Sequence, residues 1–182
     1  RPVDRLTHVR FGKQKCGCYP ANLRLCPRPP RVAEKLVARG FRLGWQLNRS
    51  EPLLAEVYPH PAIVRWFCLE ERIPYKKGSV ASRRQHFQRL QGLLLDALPH
   101  LFPLLNVGPC QALLRRPWSK AVEDQTDALL CALIGLWHWN HHGEATEVLG
   151  SADEGFLLVP TRPGAELPPS GASELGGGQI LV

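Results

Sequence analysis

Apolar residues return every three or four positions in four segments of this chain, which is the pattern of amphipathic helices. The predicted helices cover residues 31–39, 61–69, 80–98 and 119–140. In the third helix Phe87, Leu90 and Leu94 share one face, and Gly40 is a natural stop signal after the first. A chain of 182 residues with this pattern is long enough for one compact domain with a hydrophobic core.

Shorter apolar runs between the helices predict strands over residues 41–47, 52–58 and 156–159. Residues 1–30 are rich in turn formers and basic residues, and they end in a stiff extended segment, Cys26–Pro30. Residues 73–78 are predicted as a basic loop, and 99–109 as a loop or short helical turn because proline and glycine interrupt them. Strands that alternate with helices indicate an α/β domain, although the strands are few for a full sheet.

The domain is predicted to span residues 1–160, and residues 161–182 are predicted to be a disordered tail rich in glycine and proline. The chain starts with arginine and contains no methionine, so we expect that an N-terminal part of the domain is missing. No apolar run reaches the roughly 18–20 residues of a membrane span, and no signal-peptide pattern is present. The expected location is the cytoplasm, where the six cysteines stay reduced.

Positive charge is concentrated in the first third of the chain. Residues 1–49 carry twelve Lys or Arg against two acidic residues, a balance of +10, whereas residues 50–182 carry eleven against fourteen, a balance of −3. A basic region beside a mildly acidic one suits a polyanionic partner and a localised acidic site. A solvated basic surface without a partner is the alternative.

Three carboxylates open the predicted helix 119–140, namely Glu123, Asp124 and Asp127. Acidic residues in a first turn gain roughly 0.3–1 kcal/mol each from the helix dipole, which accounts for Glu123 and in part for Asp124. Asp127 lies in the second turn, on a stripe that becomes small and apolar lower down, so the helix is expected to be buried on both sides. Aspartates at i and i+3 lie close enough to share one Mg²⁺. The dipole alone and a metal site both remain open at this point.

A further carboxylate, Glu56, lies near the C-terminal end of the predicted strand 52–58. Open α/β sheets place their ligands at that end of a strand. A glutamate inside an apolar strand is costly to bury unless it is paired or bound to a cation. The alternative is an edge strand that leaves Glu56 in water.

Basic residues adjoin this acidic region in the sequence. Lys76 and Lys77 lie in the basic loop, and Lys120 lies on the acidic helix, so all three are candidate contacts for nucleic-acid phosphates. Four possible soft ligands near the N-terminus, His8, Cys16, Cys18 and Cys26, do not have the usual spacing of a structural zinc site.

Several segments, taken in order, resemble one family. They are RPVDR, LTHVRFG, KQKCGCYPANL, AEVYPHPAIVRWF, RIPYKKG and KAVEDQTDALLCAL, followed by GFLLVP. This set resembles the family of predicted RNase H-like nucleases known as DUF429, over nearly all of residues 1–160. The E-V-x-P strand and the K-A-x-x-D-x-x-D-A-L helix are the most specific parts of the resemblance.

The resemblance implies an RNase H-like α/β fold, with a mixed sheet flanked by helices and with Mg²⁺ or Mn²⁺ held by acidic side chains. Glu56 matches the family's strand glutamate, while Asp124 and Asp127 match the aspartates of its last helix, so all three are implied to be catalytic metal ligands. The family's first strands, with two further aspartates, would precede Arg1. We therefore expect this chain to be inactive when it stands alone.

Three functional hypotheses follow from these residues and from the resemblance. The first is a metal-dependent nuclease that hydrolyses phosphodiester bonds of DNA or RNA. The second is a non-catalytic nucleic-acid-binding or scaffold protein that retains the fold. The third is a phosphoryl-transfer enzyme with a small substrate, although the basic first third favours nucleic acid.

Overall fold

The computed structural model of this chain describes residues 1–18, 28–48 and 50–161, which contain six α-helices and four β-strands. The helices are α1 (Pro2–Phe11), α2 (Arg28–Val37), α3 (Pro59–Trp66), α4 (Val80–Leu101), α5 (Gly108–Leu114) and α6 (Lys120–Asn140). The strands are β1 (Arg42–Leu43), β2 (Leu53–Leu54), β3 (Thr146–Ser151) and β4 (Gly155–Pro160). Helices and strands occur together, as the predicted α/β class requires. The predicted tail lies outside the described residues from position 162 onward.

The strands form two small sheets that meet at a single residue pair. β1 and β2 run parallel, with Arg42 opposite Leu53, whereas β3 and β4 form an antiparallel hairpin. A parallel bridge between Val57 and Leu158 joins the segment after β2 to β4, and the Leu158 N–H donates to the Glu56 carbonyl at 3.0 Å. Parallel and antiparallel pairs therefore occur together in this domain.

The main hydrophobic core lies among α3, α4, α5 and α6. α4 contributes a buried stripe that the sequence predicted, formed by Phe87, Leu90, Leu94 and Leu98. Three large rings, Trp66, Phe102 and Trp137, pack against one another with centroid distances of 5.9–6.1 Å. Edge and tilted ring contacts of this kind add to the stabilisation from area burial alone. No helix of the described residues is long and apolar enough to cross a membrane.

A second core cluster forms where α1 packs against the β3–β4 hairpin. It contains Val3 and Phe11 from α1 together with Leu149, Leu157 and Val159 from the hairpin. The close approach depends on Gly150, which has φ +92° and whose added Cβ would overlap the carbonyl oxygen of Gly155 and stand 3.2 Å from the Val3 side chain. Only glycine adopts this conformation without strain and leaves that space free.

Polar contacts around Arg65 of α3 join α1 and the hairpin beside this cluster. The Arg65 guanidinium lies over the Phe11 ring at 4.8 Å, donates to the Pro160 carbonyl at 3.0 Å and pairs with Glu147. Glu147 also accepts from Arg10 at 3.0 Å. Arg65 on α3 thus contacts both α1 and the hairpin, beside the direct Arg10–Glu147 pair.

The prediction for residues 1–30 was wrong in two places. Residues 2–11 form α1, in which buried Val3, Thr7 and Phe11 follow a narrow i, i+4, i+8 stripe, with buried Asp4 beside it and basic residues around it. The second error is the extended segment, because α2 already begins at Arg28, and proline is tolerated in a first helical turn. The start of that segment, Cys26, lies outside the described residues.

Two of the three predicted strands were too long, the third (156–159) is confirmed as part of β4, and one strand was missed. Only two residues each of 41–47 and 52–58 are in β1 and β2, whereas Thr146–Ser151 forms β3 without an apolar run to announce it. The predicted loop 99–109 is partly helical, because α4 continues to Leu101 and α5 begins at Gly108. Pro99 lies in the last turn of α4, where it removes a single helical hydrogen bond.

Candidate functional site

The first turns of α6 contain a buried carboxylate, Glu123, that the sequence analysis assigned only to the helix dipole. The helix is capped by Ser119, whose hydroxyl accepts from the Val122 N–H at 3.2 Å. Glu123 is only 2% exposed, and its two oxygens accept from Lys120 Nζ at 2.8 Å and from Trp118 Nε1 at 3.2 Å. Glu123 therefore fixes the segment that leads into the helix.

The expectation that α6 is buried on both sides is wrong. Asp124 is 60% exposed and accepts from Lys120 Nζ at 2.7 Å, as a surface pair one turn apart. Gly135, further down the same stripe, is also exposed, and the buried face passes through Leu130 and Trp137 instead. Because the residues below Asp124 are small, the stripe presents little apolar area to water and does not require burial.

Asp127 lies at the margin of the buried face of α6 and holds the basic loop against it. Its side chain is 20% exposed, with Oδ1 accepting from the Tyr75 hydroxyl at 2.8 Å and Oδ2 paired with Lys76 Nζ at 2.5 Å. Tyr75 is fully buried, and burial together with the charge of Asp127 raises the pKa of its phenol far above the usual value. The loop prediction for 73–78 is confirmed, and Lys76 reaches the acidic helix, where it binds a carboxylate.

His60 lies beneath the same loop, in contact with two tyrosine rings. Its ring centroid is 5.5 Å from that of Tyr58 and 5.3 Å from that of Tyr75. The side chain is buried, and its Nδ1 has no hydrogen-bond partner among the residues that the structure describes. Burial, followed by the nearby positive charges with Lys76 foremost, lowers the pKa of His60 to about 4. His60 is consequently neutral at pH 7.

Acid is expected to destabilise the protein through His60. The folded state keeps this imidazole neutral while the unfolded chain protonates it below about pH 6.5, so the unfolded state binds more protons between pH 6.5 and 4. The free energy of unfolding should therefore fall by about 2 kcal/mol from this group when the pH is lowered from 7 to 5. Urea unfolding of the wild type and of His60→Phe at both pH values measures the contribution. An equal drop in the two proteins would show that other groups cause it.

Glu56 is held away from the carboxylates of α6 by an ion pair with Arg1. The guanidinium donates to the two Glu56 oxygens at 2.7 and 2.8 Å and to Asp4 at 3.1 Å. Asp4 is buried, and burial acts to raise its pKa, but the hydrogen bonds from Arg1 outweigh this and lower it. Sequence reasoning missed Asp4 because the helix that carries it was not predicted. Glu56 itself is about half exposed, but it follows β2 instead of lying in an edge strand, and it is paired with Arg1.

The three predicted metal ligands do not form one group in this structure. Glu56 is paired with Arg1, whereas Asp124 and Asp127 are paired with lysines on or beside α6. Within residues 1–18, 28–48 and 50–161, no set of three or more His, Cys, Asp or Glu side chains is arranged to hold a metal ion. As the side chains stand, the three carboxylates do not fit a shared Mg²⁺ or Mn²⁺, and the metal site stays a prediction.

Cations without an acidic partner among the described residues follow the basic loop into α4. Lys77 is exposed at the end of the loop, and it is the one of the three predicted phosphate contacts whose charge is not matched by a described carboxylate. Arg83 and Arg84 follow in the first turns of α4, with their guanidinium carbons 5.3 and 6.0 Å from the centre of the Trp118 ring. This run of positive charge, together with Trp118, is called the basic face below.

An apolar groove of about 650 Å³ lies elsewhere, between the β2 segment and α6. Its walls include Leu53, Leu54 and Val57 on one side and Gly135 and Trp139 on the other. None of the predicted ligands or phosphate contacts lines it. The groove is therefore separate from the acidic and basic side chains considered above.

The described cysteines are free thiols, as predicted, namely Cys16, Cys18, Cys68, Cys110 and Cys131. Burial raises the pKa of Cys16 to about 11, so this thiol stays protonated at neutral pH. A protonated, buried thiol behaves as a small apolar side chain rather than as a metal ligand or nucleophile. Cys26 lies outside the described residues.

Most of this chain matches the model of a known protein family. The model of a family described as "Protein of unknown function (DUF429)" matches residues 1–154, which is most of the chain. No curated protein and no solved structure matches. The matched range includes the whole basic face and every predicted site residue.

Proposed function

This chain belongs to the DUF429 family, and from that premise we propose that it binds nucleic acid through the phosphate backbone. The observation that carries the proposal is the basic face, where Lys77, Arg83 and Arg84 have no acidic partner among the described residues. Lys76 lies next to them but is neutralised by Asp127. A polyanion is the ligand class that attracts such a surface, since each phosphate that it neutralises releases a counterion.

The finer fold that we propose is RNase H-like. Its support is the mixed pairing of the strands, with β1 and β2 parallel, a parallel bridge to β4 and an antiparallel β3–β4 hairpin. Helices α3 and α6 pack against β4, so the strands lie beside helical layers as in a mixed sheet flanked by helices.

Cleavage with Mg²⁺ or Mn²⁺ is the second candidate function. Asp124 and Asp127 favour it, because they leave α6 one turn apart beside the basic face. Each of them is paired with a lysine, however, and Glu56 is held by Arg1. Binding is therefore the function that this arrangement supports best, and cleavage is tested beside it.

Lys77→Glu is expected to weaken nucleic-acid binding about tenfold at ~0.05 M salt, because it removes one phosphate contact and adds a repulsive charge. The difference should shrink as salt is raised, since exposed charges are screened. Fluorescence anisotropy with labelled single-stranded, duplex and branched oligonucleotides measures both effects. Lys13→Glu is the matched control, because it reverses an exposed lysine just after α1, an element that packs on the hairpin.

Failure of every oligonucleotide to bind at low salt would contradict the proposal, as would equal losses in the two charge-reversal variants. The same mixtures with Mg²⁺ or Mn²⁺ test cleavage. Products that form with the wild type and disappear with Asp127→Asn would support a nuclease. The variant should retain the fold, because the asparagine side chain can still accept from the Tyr75 hydroxyl.

A further inference from the structure

Trp118 and two arginines form a stacked group at the start of α6. The Arg83 and Arg84 guanidinium carbons lie 5.3 and 6.0 Å from the centre of the indole, within the range of a cation–π contact. Trp118 is half-buried, whereas Arg84 is exposed on the outside of the group. The group therefore places an indole and two guanidinium groups together at the protein surface.

The orientation of the Trp118 indole is fixed by buried Glu123 and by the main core. Trp118 Nε1 donates to buried Glu123 at 3.2 Å, and Lys120 holds the other oxygen of the same carboxylate at 2.8 Å. The inner part of the indole packs against the main hydrophobic core. An aromatic group that is ordered before binding loses little conformational entropy when a ligand stacks on it.

Positive charge adjoins the stack on the side of the basic loop. The chain passes from Lys77 through Gly78 and the capping residue Ser79 directly into the helix turns that carry Arg83 and Arg84. Lys76 fixes this loop to α6 by its pair with Asp127. A strand whose phosphates lie along the loop would bring its next bases to the stack.

We propose that the Trp118–Arg83–Arg84 stack receives an unpaired base, so that single-stranded nucleic acid is the preferred ligand class. The inference rests on the proposed function and assigns a second role to the basic face. In a duplex each base is paired and covered by its neighbours, and only an unpaired base offers a free face to an indole or a guanidinium. Stacking of this kind tolerates any base, so it selects strandedness and not sequence.

The probe that separates stacking from charge is a single strand compared with an abasic strand of the same length, which keeps the phosphates and lacks the bases. The wild type is expected to bind the complete strand about tenfold more tightly than the abasic strand, the effect expected for one stacked base. Trp118→Leu should lower affinity for the complete strand to the abasic level and leave abasic binding unchanged. Trp118→Phe should restore most of the difference, because it retains a ring.

Equal binding of the complete and abasic strands by the wild type would overturn the inference, as would tighter binding of a duplex. In either case the proposed function survives if Lys77→Glu still weakens binding. Absence of binding to every probe would overturn both. Should Trp118→Leu fail to fold, Arg84→Lys on the exposed helix surface replaces it, because lysine keeps the charge and lacks the planar guanidinium; a loss confined to the complete strand is again the expected result.

Discussion

Replacing Trp137 with alanine is expected to lower the free energy of unfolding by about 3–5 kcal/mol, the usual cost of truncating a large buried aromatic residue. Trp137 is 4% exposed and contacts the rings of Trp66 and Phe102 at centroid distances of 5.9 and 6.1 Å. Its Nε1 also donates to the Ala145 carbonyl at 2.8 Å, but that oxygen keeps a hydrogen bond from Thr161. The loss therefore comes mainly from packing and from the cavity left among the rings.

Trp139→Ala is the matched control for this substitution. Trp139 lies on the same helix two residues later, but it is 49% exposed at the rim of the apolar groove. Its removal is expected to cost less than about 1 kcal/mol. Urea unfolding of both variants gives the comparison, and similar losses in the two would mean that Trp137 is not at the centre of the core.

Glu123→Leu is expected to lower the free energy of unfolding by roughly 2–4 kcal/mol. The leucine leaves Trp118 Nε1 without its acceptor and removes the buried partner of Lys120. Loss of one partner from a buried pair costs about 3–5 kcal/mol, and we reduce that figure because Lys120 is 66% exposed and water can solvate it. Glu123→Gln should recover part of the loss, since the amide oxygen can still accept from the indole.

Asp124→Ala, one position further along, is the control for the Glu123 prediction. Both residues bind Lys120 and both lie near the N-terminal end of α6, so the helix dipole acts on them similarly. Because Asp124 is exposed, its replacement should change stability by less than about 1 kcal/mol in a thermal or urea melt. Equal effects at positions 123 and 124 would restore the dipole explanation that the sequence alone suggested.

The long helices could be predicted because many of their apolar residues recur at the three- or four-residue spacing of a helix. α4 and α6 were placed correctly at their starts, where Ser79 and Ser119 supply the caps. α1 was missed because its buried stripe of Val3, Thr7 and Phe11 lies among basic residues and gives too little contrast. β3 was missed for a related reason, because its partner β4 supplies most of the apolar surface of the hairpin.

The sequence drew attention to the charged residues around α6 and the basic loop, but not to how they pair with one another. The stripe of Asp124 and Asp127 was expected to be buried because small and apolar residues follow it, whereas Asp124 is exposed and Glu123 is the buried carboxylate. A phase through Thr126, Leu130 and Trp137 would have placed Glu123 on the buried face. Contacts between distant segments, such as Tyr75 with Asp127, depend on how the loop folds back and leave no local pattern.

The contact between α1 and the hairpin joins the two ends of the described chain, and this determines the order in which the parts can assemble. Val3 and Leu149 belong to one cluster although they lie near opposite ends of the described chain. In contrast, α4, α5 and α6 contact elements that are close to them in sequence. Closing a long loop costs entropy before any contact repays it. We therefore expect the helical core to form first and α1 to dock last, so that local opening of α1 requires less free energy than global unfolding.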